Sequence, residues 1–256
     1  MTRPIEIIAE IGVNTNGDFN RAKKMILMAK SCGADVAKFQ VYDPIKVLDP
    51  EHPDIKPWWD LLLGIQFEQW EWRALAAYCS EIGIEFFCSV FDPADVEWLN
   101  PLVKRWKIAS RSMYDRDLAY ALMKTGKPVV VSWGYFSGDI PAIHYVLCGE
   151  DIYDLYCVSK YPARIEENKF WRLDPKTPWF PRSVFAWDYW GFSDHTEGLV
   201  ASTMAMTLGA RMIEKHFTLD REMPGPDHRC SLDGIGLAGL CLRRDLIETM
   251  RGHVER

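Results

Sequence analysis

The sequence predicts a closed (β/α)8 barrel, because short β-branched runs alternate with polar turns and segments of helical periodicity. Eight such βα units follow one another along the chain. A length of 256 residues is one that α/β barrels reach as one domain, and 48% hydrophobic residues suffice for a large core. We therefore expect residues 1–256 to form a single TIM-barrel domain.

The first four strands are predicted from apolar runs that end in polar residues. They are IEIIAEIG from Ile5, VAKFQVY from Val36, IEFFCSVF from Ile84 and RWKIAS from Arg105. After the first strand, NRAKKMILMAKSCG places apolar residues near i, i+3 and i+4, and its closing Gly33 suits a helix C-cap. This segment is predicted to be the first helix of the barrel.

The last four strands are predicted in the same way. They are PVVVSWG from Pro128, YDLYCVSKYP from Tyr153, VFAWDYWGFSDH from Val184 and MIEKHFT from Met212. The stretch after Pro162, ARIEENKFWRLDPKTPWFPRS, is rich in proline and tryptophan and has poor helical periodicity. We expect an irregular excursion there that replaces or distorts a helix.

Composition and charge exclude several classes of protein. The net charge is −6 with both signs interspersed, so the basic footprint of a protein that binds nucleic acid or an anionic membrane is missing. The seven cysteines show no CxxC spacing, as is typical of reduced core cysteines. No apolar run reaches membrane-spanning length, and MTRPIEIIAEIG is too short and too acidic for a signal peptide. We expect a cytoplasmic protein that acts on a small polar substrate.

Polar residues collect at the predicted carboxyl ends of the strands, where barrels of this kind have their active sites. They are Glu10, Asn14, Lys38, Gln40, Ser89, Asp92, Lys107, Ser110, Ser132, Ser159, Tyr161, Ser193, Asp194, His195, Lys215 and His216. Because barrel interiors are filled mainly by branched apolar side chains, so large a polar set predicts a binding site.

Two histidines follow neighbouring strands, which predicts a metal site. His195 and His216 end the seventh and eighth strands, and a pair of imidazoles with open positions suits a divalent ion such as Mn²⁺, Mg²⁺, Fe²⁺ or Zn²⁺. The alternative is that each histidine only bonds backbone or a carboxylate such as Asp194 or Glu214.

A lysine and several serines predict a phosphate site along one arc of the rim. Lys107, Ser110, Ser132, Ser159 and Ser193 supply an ammonium and hydroxyls that a phosphate dianion accepts well, unless the serines are there for their small size.

Two carboxylates are candidates for proton transfer or hydroxyl binding. They are Glu10 on the first strand and Asp227 in the loop MPGPDHRC. An ion pair of Glu10 with Lys38 or Lys215 would be the structural alternative.

A series of motifs runs along the chain between about Ile5 and Asp233: IIAEIGVNTNGD, ADVAKFQ, KIAS, KTGKPVVVS, YCVSKYP, GFSDHTEG and IEKHFTLDREMPGPDH. Taken in this order, they resemble the strand-end motifs of the N-acetylneuraminate (sialic acid) synthase family. The resemblance implies a transferase that condenses phosphoenolpyruvate with an N-acetylated hexose such as N-acetylmannosamine. The implied product is a nine-carbon 2-keto-3-deoxy acid, and the implied cofactor is Mn²⁺ or Mg²⁺. A homodimer is a further family-level expectation.

The resemblance also implies roles for individual residues. According to the resemblance, the residues that hold phosphoenolpyruvate are Lys38, Lys107, Ser110, Ser132, Ser159 and Ser193. The metal would be held by His195 and His216, and the sugar and reacting atoms would face Glu10, Gln40, Tyr161 and Asp227.

The sequence departs from the family after KIAS, where the usual Gly-Glu is Arg111-Ser112, so a catalytic carboxylate is missing. We hypothesise that Arg111 pairs with an anionic group on an unusual acceptor, since a guanidinium binds carboxylate or phosphate bidentately. An ion pair with Asp115 or Asp117 is the alternative.

Other departures concern the acceptor side of the pocket. The family's NHNG is NTNG from Asn14, and the excursion at residues 163–183 differs from the usual helix. The chain ends near Arg256, so the C-terminal antifreeze-like domain is expected to be absent and the pocket more open.

The leading hypothesis is a phosphoenolpyruvate-dependent condensing enzyme with a modified acceptor site. One alternative keeps the barrel and changes the chemistry to an aldolase or lyase, or to carbon–carbon bond formation on a nucleotide or phosphorylated sugar. Another is a catalytically silent protein that binds phosphate or sugar.

Overall fold

The computed structural model describes residues 4–134, 151–170 and 190–252. Within these residues, parallel strands close into a barrel in chain order, with the last strand pairing with the first. The strands are β1 Glu6–Glu10, β2 Val36–Val41, β3 Glu85–Val90, β4 Trp106–Ile108, β5 Val129–Trp133, β6 Ile152–Cys157, β7 Trp190–Asp194 and β8 Met212–His216. The predicted (β/α)8 fold class is confirmed.

Helices surround the barrel in the described part of the chain. They are α1 Phe19–Ser31, α2 Pro44–Val47, α3 Trp59–Leu63, α4 Gln69–Ile82, α5 Val96–Leu99, α6 Arg116–Met123, α7 Val200–Thr207 and α8 Gly234–Met250. The first helix lies where the periodicity predicts it. Asp18 caps its N-terminus by accepting a hydrogen bond from Arg21 N, and Gly33 lies just beyond its end with φ of 92°. None of the helices described here is long and apolar enough to cross a membrane.

An apolar layer closes the middle of the barrel. Its members are Ile8, Val36, Phe87, Val130, Leu155 and Met212, all buried and in mutual contact. The larger core lies outside the barrel, between the strands and the surrounding helices. The inner layer is the floor on which any site at the carboxyl ends of the strands rests.

β4 and β6 are shorter than predicted. β4 covers only Trp106–Ile108, because the chain turns at Ser110–Ser112 into a single 3-10 turn. β6 ends at Cys157, so that SKYP forms a loop. The predicted start of the seventh strand, at residues 184–189, and most of the proline- and tryptophan-rich excursion lie outside the described residues.

Candidate active site

A polar layer lies directly above the apolar floor, because inward-facing positions of a strand recur every second residue. Two residues beyond Ile8, Val36, Phe87, Val130, Leu155 and Met212 come Glu10, Lys38, Ser89, Ser132, Cys157 and Glu214, all buried. Charges in this layer are therefore shielded from water on the floor side, which strengthens their interactions.

Lys38 and Glu10 form a buried ion pair at the start of this layer. The Lys38 ammonium donates to Glu10 Oε2, and Gln40 Nε2 donates to Glu10 Oε1 at 2.8 Å. The ion pair that the sequence allowed for Glu10 is thus formed with Lys38. Burial lowers the pKa of Lys38, but the charges of Glu10 and Glu214 outweigh it, so its pKa lies above the ordinary value.

Glycine at position 12 lets the chain pass over this ion pair. Gly12 has φ of 43°, and a Cβ there would lie 2.3 Å from Glu10 Oε1 and 2.9 Å from Gln40 Nε2. Any side chain would displace the Glu10 carboxylate.

Lys107, on β4, is fully buried on the side of the polar layer away from the Lys38–Glu10 pair. Its ammonium donates to Ser132 Oγ at 2.6 Å and lies 3.9 Å from Glu214 Oε2. Burial lowers the pKa of Lys107, and Glu214 opposes this effect without cancelling it. The contact with Ser132 brings together two members of the predicted phosphate arc.

Glu214 is a site residue that we did not predict. Its carboxylate lies between the two lysines and accepts a hydrogen bond from Ser193 Oγ at 3.3 Å. Burial opposes ionisation, but Lys107 and Lys38 together hold its pKa at about 2. Because side chains alternate along a strand, its position two residues before His216 would have placed it on the inner face.

The other two serines of the arc meet where β4, β5 and β6 end. Ser110 Oγ lies 2.7 Å from Ser159 Oγ, which ties the turn after β4 to the loop after β6. Gly134 makes this approach possible, since a Cβ there would lie 1.9 Å from Ser159 Oγ and 2.5 Å from Cys157 Sγ.

The two histidines are buried side by side with ring centroids 5.6 Å apart. His195 Nδ1 lies 2.7 Å from the Val158 carbonyl, which accepts its proton and leaves Nε2 near Ser193 Oγ at 3.4 Å. Burial and the neighbouring His216 lower the pKa of His195 to about 3, so the imidazole is neutral. The Tyr161 ring packs on both rings, at centroid distances of 4.1 and 5.6 Å.

His216 carries an unpaired buried nitrogen. Its Nδ1 lies 3.4 Å from Asp227 Oδ2 but has no hydrogen-bond partner among the described residues. No group of three or more His, Cys, Asp or Glu side chains in the described part of the chain is arranged to hold a metal ion. Two adjacent imidazoles, one neutral and one with an unpaired nitrogen, fit a divalent ion that takes its other ligands from substrate or water.

The loop that carries Asp227 is fixed by the NTNG motif. Asn14 Nδ2 donates to Phe217 O and Ser231 Oγ at 2.9 and 2.8 Å, and Asn16 Nδ2 donates to Pro224 O at 2.8 Å. Thr15 of the motif is also buried, in the turn after β1. The motif therefore positions the eighth βα loop.

Above the polar layer, four residues from alternate strands surround the mouth: Tyr42 after β2, Arg111 after β4, Tyr161 after β6 and Asp227 after β8. Burial raises the pKa of Tyr42, the Asp227 charge adds to this rise and the Arg111 charge opposes it. Burial has the largest effect on the pKa of Tyr161 and raises it; the Asp227 charge adds to this rise and the Arg111 charge opposes it. Arg111 and Asp227 are therefore both within electrostatic reach of the two tyrosines.

Comparison with known proteins decides the family. The family model described as the NeuB family matches residues 25–256. The chain belongs to the NeuB family.

Curated NeuB relatives agree with this assignment. An N-acetylneuraminate-9-phosphate synthase of Homo sapiens is 34% identical over 97% of this chain and 72% of the relative. An N,N'-diacetyllegionaminic acid synthase of Legionella pneumophila is 30% identical over 98% of this chain and 74% of the relative. The resemblance seen in the strand-end motifs is confirmed.

A solved structure supports the same conclusion. The sialic acid synthetase of Leptospira borgpetersenii, crystallised with citrate, superposes with a TM-score of 0.87 at 28% identity. The match covers 99% of this chain and 87% of that one.

In this NeuB chain the predicted site residues all lie at one end of the barrel. Most are buried or half-buried, whereas Arg111 and Tyr161 are exposed at the mouth, and Ser112 is half-buried in the turn after β4. Their roles in binding and catalysis remain predictions. Besides Glu214, we missed Tyr42, Gly12 and Gly134, whose importance depends on contacts between separate strands.

Proposed function

We propose that this NeuB family protein condenses phosphoenolpyruvate with an aldose or amino-sugar acceptor, giving a 2-keto-3-deoxy (nonulosonic) acid and phosphate. The observation that carries the proposal is the polar layer, in which two buried lysines and the serine hydroxyls adjoin two histidines on an apolar floor.

The polar layer suits phosphoenolpyruvate because the molecule carries a carboxylate and a phosphate close together. Lys38 and Lys107 supply ammonium groups, and Ser110, Ser132, Ser159 and Ser193 supply hydroxyl donors around them. Glu10 and Glu214 orient the lysines and limit the net charge of the layer.

The histidine pair adjoins this donor site through Ser193. A divalent ion held by His195 and His216 would supply Lewis-acid polarisation of the acceptor's carbonyl oxygen. Tyr161, packed on both imidazoles, restricts their rotation and forms one wall for the acceptor.

The reaction proceeds in two bond-forming steps. The electron pair of the enol double bond joins carbon 3 of phosphoenolpyruvate to the aldehyde carbon of the acceptor, whose oxygen takes up a proton. Water adds at carbon 2, and the bond from carbon 2 to the phosphate-bearing oxygen breaks. Phosphate leaves, and a 2-keto acid remains.

Proton transfer in these steps is proposed for Glu10 and Asp227. Glu10 is held rigidly by Lys38 and Gln40, and Asp227 lies half-buried beside His216. A general acid or base is worth about 10²- to 10⁴-fold in rate. Because Ser112 replaces the family's usual glutamate after β4, these two carboxylates are the groups we assign to that task.

The choice of acceptor is open to a direct test. Relatives at about one-third identity are named as synthases of acids both with and without a phosphate group. The test is phosphate release from phosphoenolpyruvate by Mn²⁺-loaded protein, with and without a panel of N-acetylhexosamines, phosphorylated sugars and nucleotide sugars. Release that requires one acceptor supports the proposal, whereas release independent of any acceptor, or none, contradicts it.

A further inference from the structure

Arg111, at the mouth of the barrel, is a cation without a counter-ion among the residues that the structure describes. No carboxylate of the described residues forms an ion pair with it, whereas the buried lysines Lys38, Lys107 and Lys215 each lie within ion-pair distance of a carboxylate. Asp115, one of the partners that the sequence allowed, instead caps α6 by accepting from Leu118 N at 2.9 Å. Among the described residues, neither Asp115 nor Asp117 forms an ion pair with Arg111.

The turn that carries Arg111 is firmly placed. Ser110 is buried and bonded to Ser159, and Ser112 N donates to Ala109 O at 2.9 Å. Arg111 thus projects from a fixed turn, with its side chain exposed above the serine arc. Arg111 follows β4, between Tyr42 after β2 and Tyr161 after β6, so its exposed side chain lies on the mouth between them. Its charge opposes the rise that burial gives to the pKa of both phenols.

The order of the strands sets where Arg111 lies relative to the reacting atoms. In a closed barrel of β1 to β8 in sequence, β4 faces β8 across the axis. His216 and Asp227 belong to the β8 side, and Arg111 belongs to the β4 side. An acceptor with its carbonyl at the histidines would extend across the mouth and present its other end to Arg111.

We infer that Arg111 binds an oxyanion, a phosphate monoester or a carboxylate, at the end of the acceptor remote from its reacting carbonyl. This inference rests on the proposed condensation and narrows its acceptor to anionic sugars. A guanidinium fits both oxyanions because it donates two parallel hydrogen bonds to either one.

Kinetics with three acceptors separate the two oxyanions from a neutral sugar. N-acetylmannosamine, its 6-phosphate and its 6-carboxylate are compared for wild type, Arg111→Ala, Arg111→Lys and the control Arg116→Ala, which alters an exposed arginine of α6. We expect wild type to favour one charged acceptor by about 10- to 100-fold in kcat/KM, the range for a charge-assisted hydrogen-bonded pair. Arg111→Ala should lose this preference while KM for phosphoenolpyruvate stays unchanged, and Arg111→Lys should retain part of it.

Several outcomes would overturn the inference. A preference for the neutral sugar in wild type contradicts it, and so does a charged-acceptor preference that survives in Arg111→Ala. A rise in KM for phosphoenolpyruvate alone in Arg111→Ala would assign the guanidinium to the donor instead.

A binding measurement keeps this inference separate from the proposed function. N-acetylmannosaminitol 6-phosphate, and the corresponding alditol 6-carboxylate, have no carbonyl and cannot react, so their binding is measured by calorimetry with phosphoenolpyruvate present. We expect at least about tenfold tighter binding of one of them to wild type than to Arg111→Ala. Such binding without turnover of any acceptor would contradict the condensation and support the Arg111 assignment. Equal binding to wild type and Arg111→Ala would contradict the assignment.

Discussion

A carboxylate oxygen of Glu214 lies 3.4 Å from the ammonium of Lys38 in the buried polar layer. The other oxygen faces Lys107, so removal of this side chain leaves buried cations short of a counter-ion. We expect Glu214→Ala to lower the free energy of unfolding by about 3–5 kcal/mol, the usual cost of breaking a buried pair. Chemical denaturation measures this loss.

The control for Glu214 is Glu81→Ala, an exposed position on α4 that should change stability by less than about 0.5 kcal/mol. Because phosphoenolpyruvate supplies negative charge, it should raise the melting temperature of Glu214→Gln more than that of wild type. Equal denaturation midpoints for Glu214→Ala and Glu81→Ala would show that the lysines do not need this carboxylate.

Lys107 is expected to dominate donor binding. Lys107→Met keeps the length of the buried side chain and removes its ammonium, which should weaken phosphoenolpyruvate binding by about 10- to 100-fold. Titration calorimetry measures the dissociation constant, and circular dichroism checks the fold. Lys104→Ala removes an exposed lysine nearby and should bind the donor as wild type does. Unchanged binding by Lys107→Met would exclude Lys107 from the donor site.

Gly134 is expected to control the shape of the serine arc. In Gly134→Ala the new methyl group would lie 1.9 Å from Ser159 Oγ, so the serine must move and KM for phosphoenolpyruvate should rise by about tenfold or more. Steady-state kinetics measure this rise. Gly64→Ala is the matched control, since a Cβ there meets nothing closer than 3.6 Å. In the Ser159→Ala background, Gly134→Ala should raise KM for phosphoenolpyruvate by a smaller factor than it does in wild type. An equal factor in both backgrounds would show that the clash with Ser159 is not the cause.

The histidine pair is expected to bind one divalent ion. Mn²⁺ titration followed by electron paramagnetic resonance should give one site per chain in wild type, and His195→Ala or His216→Ala should weaken it by at least about tenfold. His52→Ala is the control, because His52 lies exposed and far along the chain from both. Retention of full Mn²⁺ affinity in both active-site variants would place the metal elsewhere or exclude it.

Asp154 is expected to make stability depend on pH. Its carboxylate accepts from Trp133 Nε1 at 2.5 Å on the outer face of the barrel, and burial raises its pKa from 3.8 to about 7. Since the folded state holds the proton more tightly, the contribution of this group to stability is present below pH 4 and is lost as pH rises towards 7.

The variant Asp154→Asn keeps an oxygen that accepts from Trp133 and cannot ionise. Its unfolding free energy should exceed that of wild type by on the order of 2–4 kcal/mol more at pH 8 than at pH 4. Urea unfolding at the two pH values provides the comparison. The same difference between variant and wild type at both values would mean that Asp154 does not titrate in this range.

Much of the site is predictable because strand periodicity is local. Alternation along β1, β2 and β5 puts Glu10, Lys38 and Ser132 on the inner face, above apolar residues two positions earlier. The same pattern on β8 contains Glu214, two residues before His216, and would have placed it on the inner face as well.

Other features depend on contacts between distant segments and could not be read from local sequence. The need for glycine at positions 12 and 134 arises from side chains on neighbouring strands. The sequence equally allowed Arg111 to pair with Asp115, and only the capping of α6 shows that this carboxylate is engaged elsewhere.

In the proposed condensation a new carbon–carbon bond forms at carbon 3 of phosphoenolpyruvate. The most direct test is carbon-13 NMR of the reaction of [3-¹³C]phosphoenolpyruvate with the acceptor selected by the phosphate-release panel. We expect the vinyl signal to be replaced by a ring methylene signal coupled to the former aldehyde position, with one phosphate released per product. Label that appears in the methyl group of pyruvate, or that stays in phosphoenolpyruvate, would contradict it.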